Sequence, residues 1–173
     1  MRPARDESGF TLVEVMVVMT ITAIVLGGLA NMFTSGLTAT STSNATLASQ
    51  TNLIVAVNRI EYEARCASAA ALVSGGAGVT LTLPSYCVNA SGTYTWCVTG
   101  GALNKYSGSS CSGSAVTYAT NVTSTTPFSC LSGGQYPRLQ VTVTSQAGTS
   151  SATAATGTTV VTLRNASTVA ACA

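Results

Sequence analysis

The residues with chemistry to offer are few: six cysteines, and a glutamate set inside an apolar run just after a Gly-Phe junction. The cysteines are Cys66, Cys87, Cys97, Cys111, Cys130 and Cys172, all beyond the apolar N-terminal stretch. A zinc site wants close thiolate pairs such as CxxC, and the shortest spacing here leaves nine residues between Cys87 and Cys97. An even count in a small polar domain reads instead as disulfides formed in an oxidising compartment. Catalysis has little to draw on. The chain has no His, and no acid follows Glu63 to pair with a nucleophile. Neither a metal nor another cofactor is expected, and the chain is not read as an enzyme.

Glu14 is the more telling group. Residues 10–33 are apolar apart from Glu14, some Thr and Asn31, and no charge falls between Glu14 and Arg59. As a helix these 24 residues would span about 36 Å, enough for a bilayer core of about 30 Å. Arg2 and Arg5 precede the run and no basic residue follows until Arg59, which places residues 1–9 in the cytoplasm and the rest outside. Gly28-Leu29-Ala30 imitates a secretory cleavage site, but the run is longer than a signal's apolar core and carries a carboxylate four residues in. A carboxylate is costly in hydrocarbon unless it is paired or protonated. The overall charge of +2 does not by itself imply nucleic acid.

The string Gly9-Phe10-Thr11-Leu12-Val13-Glu14, behind a short basic leader and ahead of a long apolar run, resembles the processing signature of type IV prepilins. That family includes the pseudopilins of type II secretion and the pilins of DNA-uptake machines. The resemblance implies a prepilin peptidase that cuts between Gly9 and Phe10 and methylates the new Phe10 amine. It makes Phe10 and Glu14 the assembly residues, with Glu14 meeting the terminal amine of a neighbouring subunit in a helical filament of homologous pilins. The chemistry is sound on its own terms. Gly9 has no side chain to obstruct a narrow cleft, and cleavage creates an ammonium one helical turn from Glu14. A more local likeness, in Asn58–Ser68 (NRIEYEARCAS) and Val160–Asn165 (VVTLRN), is to J-type pseudopilins or W-type minor pilins.

The elements that position these groups follow from period. Leu53, Val57, Ile60 and Ala64 share one helical face, with Arg59–Glu63 and Glu61–Arg65 as i,i+4 pairs. One helix is expected from about residue 10 to about 71, weakest at Gly27-Gly28 and through the Ser/Thr tract 34–52, and ended by Gly75-Gly76 and Gly78. From Val79 the period changes to two: Val79, Leu81, Leu83; then Leu139, Val141, Val143; then Val161, Leu163. Residues 107–114 and 145–158 read as loops. A hairpin around Ser91-Gly92-Thr93 would set Cys87 opposite Cys97. The favoured pairing is then Cys87–Cys97, Cys111–Cys130 and Cys66–Cys172. Tyr86, Tyr94, Trp96, Tyr106 and Tyr136 read as cover for a thin β core; with Lys105 and Arg138 they form an alternative patch for adhesion or nucleic acid. The N-x-S/T strings at Asn44, Asn89, Asn121 and Asn165 are expected by chance in so Ser/Thr-rich a chain.

The expected fold is α+β: a long N-terminal helix, membrane-spanning in its first half, packed on a small antiparallel β head with disulfides. The expected parts are a leader at 1–9, the transmembrane and assembly half of the helix at 10–33, its second half at 34–72, and the head at 73–173. The resemblance implies a structural filament subunit for adhesion, motility, DNA uptake or secretion. It would sit in a prokaryotic inner membrane with an assembly platform and then in a surface or periplasmic filament. The alternative is a membrane-anchored or secreted binding domain that never polymerises.

Overall fold

The computed structural model describes residues 9–87, 91–131, 136–146 and 154–166. Leader residues 1–8, Asn89 and Cys172 lie outside the described residues. The chain divides into two units, Met1–Ser41 and Thr42–Ala173.

A single helix, α1, runs Leu12–Cys66. Helical backbone persists through Gly27-Gly28 and the Ser/Thr tract, both poor in intrinsic propensity. The threonine hydroxyls there bond back along the helix: Thr34 Oγ1 donates to the Ala30 carbonyl at 3.1 Å, Thr40 to Gly36 at 2.9 Å and Thr46 to Thr42 at 2.9 Å. Such bonds keep the hydroxyls satisfied without tertiary partners, although they slightly destabilise the helix. In the second unit α1 buries one stripe, Ser49, Leu53, Ala56, Val57, Ile60, Glu63 and Ala64. That is the face expected from the apolar period, with a serine and a glutamate added.

The head is built from two antiparallel sheets. The first is a five-stranded meander of β1 (Ala69–Val73), β2 (Gly78–Leu83), β3 (Gly92–Thr99), β4 (Ala102–Ser107) and β5 (Ala115–Thr120), in that order. The second has three strands, β6 (Phe128–Leu131), β7 (Arg138–Gln146) and β8 (Ala154–Thr162). Strand β7 alternates strictly: Leu139, Val141, Val143 and Ser145 are buried, with Gln140, Thr142 and Thr144 between them. Both sheets share one core with α1, which includes Leu53 and Ile60 of the helix with Leu81, Trp96, Phe128, Val141 and Val161 of the strands. Burying each large apolar side chain stabilises by about 1.5–3 kcal/mol. Gly157 of β8 lies so close to α1 that a Cβ there would stand 2.9 Å from Leu53 Cδ2.

Several expectations need correction. The helix ends at Cys66, about five residues before the expected end near 71, because Ala69–Val73 pairs with β2 instead. Gly75-Gly76 therefore turns β1 into β2 and does not stop the helix. Gly76 has φ 101°, and a Cβ there would lie 2.5 Å from the Phe128 carbonyl oxygen, so only glycine fits. Of the residues expected as loop, Ser107 ends β4, residues 145–146 end β7 and residues 154–158 are strand in β8.

The expected disulfides are also overturned. Cys66 bridges Cys87, with Cα atoms 6.0 Å apart, and Cys97 bridges Cys111 at 5.9 Å. The hairpin around Ser91-Gly92-Thr93 does not form, because β3 pairs with β2, placing Gly92 opposite Leu83 and Cys97 opposite Gly78. Cys87 instead lies in a turn, its N–H donating to the Pro84 carbonyl at 3.0 Å, and faces the end of α1. Gly78 leaves the space that the second bridge needs: a Cβ there would sit 3.0 Å from Cys97 Sγ and 3.2 Å from Cys111 Sγ. Cys130 is disulfide-bonded too. The expected Cys111–Cys130 and Cys66–Cys172 bridges are both excluded, since Cys111 and Cys66 are taken.

Candidate processing and assembly site

Gly9 and Phe10 are exposed and precede the helix, and nothing lies within 4 Å of where a Gly9 Cβ would stand. Thr11 caps α1: its Oγ1 accepts from the Glu14 N–H at 3.4 Å. Thr11 and Glu14 are thus the N-cap and N3 positions, and a carboxylate at N3 also suits the positive end of the helix dipole. The T-x-x-E spacing is a capping signal that the sequence reading missed. Glu14 is exposed in the described chain.

Beyond Glu14 the first half of α1 presents its apolar side chains outward. Met16, Met19, Ile21, Ile24, Leu29, Met32 and Phe33 are all more than half exposed. The most apolar window of this helix has no residue buried inside the chain. By length and composition it can cross a membrane. Such a surface asks for lipid or for other protein around it.

The head is held to α1 by a buried charge cluster that sequence reasoning missed. Glu63 is 1% exposed and accepts from Arg59 Nε at 2.8 Å, Lys105 Nζ at 2.6 Å and the Trp96 indole N–H at 3.0 Å. These partners come from α1, β4 and β3, so one carboxylate ties three elements together. Lys105 also lies 4.1 Å from the Tyr94 ring centroid. Only the local Arg59 pairing was legible, although Glu63 falls three residues after Ile60 on the same face. The Glu61–Arg65 pair is present as expected.

This arrangement dismantles the aromatic patch. Trp96 and Tyr106 are buried, Lys105 turns inward to Glu63, and Tyr86 and Tyr136 remain exposed. The bridges Cys66–Cys87 and Cys97–Cys111 flank the same region, fastening the end of α1 and strand β3.

Residues 4–30 match the family model of the prokaryotic N-terminal methylation motif. The match covers the Gly9-Phe10 junction, Glu14 and most of the apolar run, and supports a type IV pilin-like precursor. With the apolar helix, it fits a membrane-anchored precursor of a surface filament. No curated protein and no solved structure matches the chain.

Proposed function

We propose that this chain is a structural subunit of a type IV pilus or type II secretion-like filament, cut between Gly9 and Phe10 and methylated on the Phe10 amine. The observation that carries the proposal is the methylation motif leading directly into a helix half whose apolar side chains have no cover among the described residues. A bilayer covers them before assembly, and the helices of neighbouring subunits cover them afterwards. A prepilin peptidase, an assembly platform and homologous pilins are the partners this requires. The small disulfide-bonded head would then decorate the filament surface. The likeness of Asn58–Ser68 and Val160–Asn165 to minor subunits favours a place at filament initiation or near the tip. The motif favours a structural role over catalysis.

Glu14 separates a filament subunit from a plain anchor. If its carboxylate meets the Phe10 amine of a neighbour, Glu14→Gln and Glu14→Leu keep cleavage and head folding but lose incorporation. The neighbour's ammonium is left without a counterion in an apolar groove, a loss of about 3–5 kcal/mol. The test compares sheared surface and membrane fractions from the native host and counts filaments. Wild-type incorporation and wild-type filament numbers with both variants would refute the assignment.

A further inference from the structure

Strand β8 ends its sheet, so among the described residues no strand pairs with its outer side. Its nine residues carry neither charge nor proline, the features that usually guard such an edge. The register fixes which groups are open. The Leu163 N–H donates to the Pro137 carbonyl at 2.9 Å, and Thr162 lies opposite Arg138. In an antiparallel ladder the direction alternates by residue, so Ala154, Thr156, Thr158, Val160 and Thr162 turn their N–H and C=O groups away from β7. That is a row of five donor and acceptor pairs.

A cavity of about 370 Å³ opens at the C-terminal end of this edge, lined by Arg65, Val160, Val161, Thr162 and Arg164. Two guanidinium-bearing residues face one space beside an open strand. Glu61 pairs with Arg65 and accepts from Thr159 Oγ1 at 3.2 Å, so among the described residues Arg164 brings the uncompensated positive charge. Arg164 is exposed. The cavity is therefore cationic, and its strand wall offers main-chain hydrogen bonds rather than a stacking surface. Guanidinium groups hold carboxylates through paired N–H donors.

We infer that β8 accepts an extended acidic peptide of a different protein as an added strand, its carboxylate seated on Arg164 beside the Glu61-paired Arg65. The main chain of that peptide bonds the outward groups of β8, as in strand addition to other sheet edges. A second copy of this chain fits poorly, because no Asp or Glu follows Glu63 and its own strands bring no side-chain carboxylate. The inference concerns the head alone and does not rest on the filament reading.

The test uses the full-length protein in detergent micelles and fluorescence anisotropy. The probe is a labelled octapeptide of alternating threonine and valine ending in two aspartates. Controls are the same peptide ending in two asparagines, and an aspartate peptide N-methylated at alternate residues so that it cannot pair as a strand. Saturable binding of the aspartate peptide is expected, with at least tenfold weaker binding of both controls. The double variant Arg65→Gln/Arg164→Gln should bind the aspartate and asparagine peptides alike. Amide exchange at Thr156, Thr158 and Val160 should slow on binding. The inference is overturned by failure to bind, by equal binding of all three peptides, by the double variant keeping the preference, or by inorganic phosphate binding the cavity with the peptide excluded. Self-association through β8 without peptide would assign the edge to a second copy instead.

Discussion

Replacing Glu63 by leucine removes the one carboxylate that joins α1, β3 and β4. Glu63→Leu keeps an apolar body in the site but leaves Lys105, whose side chain is 10% exposed, without a counterion. It also leaves the buried Trp96 indole N–H without its acceptor. Breaking a buried pair by removing one partner costs about 3–5 kcal/mol, and an orphaned buried donor about 1–3 kcal/mol. These do not simply add, since both describe the loss of one group. Two features reduce the sum: Arg59 is one-third exposed and can return to water, and Lys105 keeps the Tyr94 ring at 4.1 Å. The expected loss is therefore about 3–4 kcal/mol. Lys105→Met alone should cost less, because Glu63 retains Arg59 and Trp96. The double variant Glu63→Leu/Lys105→Met should be more stable than Glu63→Leu alone, since no buried lysine is stranded. Trp96 is the chain's one tryptophan and lies at this site, so its fluorescence during urea unfolding reports directly. A Glu63→Leu loss under about 0.5 kcal/mol, or a double variant as unstable as the two single losses summed, would refute the cluster's role.

Non-reducing peptide mapping should recover Cys66–Cys87 and Cys97–Cys111, with Cys130 joined to the remaining cysteine, Cys172. Replacing either of the first two bridges by alanines should cost about 2–4 kcal/mol; peptides joining Cys87 to Cys97 would contradict the β2–β3 register. Gly157→Val should destabilise by about 1–3 kcal/mol through overpacking on Leu53 and Val57. Combining it with Leu53→Ala should cost less than the two separate losses, as measured by the same unfolding curves.

The parts legible in the sequence were those whose signal is local. The stripe through Leu53, Val57, Ile60 and Ala64 announced the packed face of α1, and the alternation in Leu139–Val143 announced β7. Ala69–Val73 could not be read the same way. Three alanines and a leucine favour helix, and only pairing with Thr80 and Leu81 across the Gly76 turn makes them strand. The disulfides failed for a related reason. Placing Cys87 opposite Cys97 assumed that the nearest residues pair, whereas β3 takes β2 as its partner and leaves Cys87 in a turn. Glu63 and Lys105 are 42 positions apart, and no periodicity connects them. The methylation motif within residues 4–30 was legible because it depends on local spacing rather than on tertiary contact.

The central claim is that this chain is a processed filament subunit, and the mature N-terminus tests it most directly. Intact-mass analysis of the protein extracted from its native membrane should show loss of residues 1–9 and one added methyl group, with fragmentation placing that methyl on the Phe10 amine. A mature chain beginning at Asn31, or one retaining its leader with no methyl group, would contradict the account.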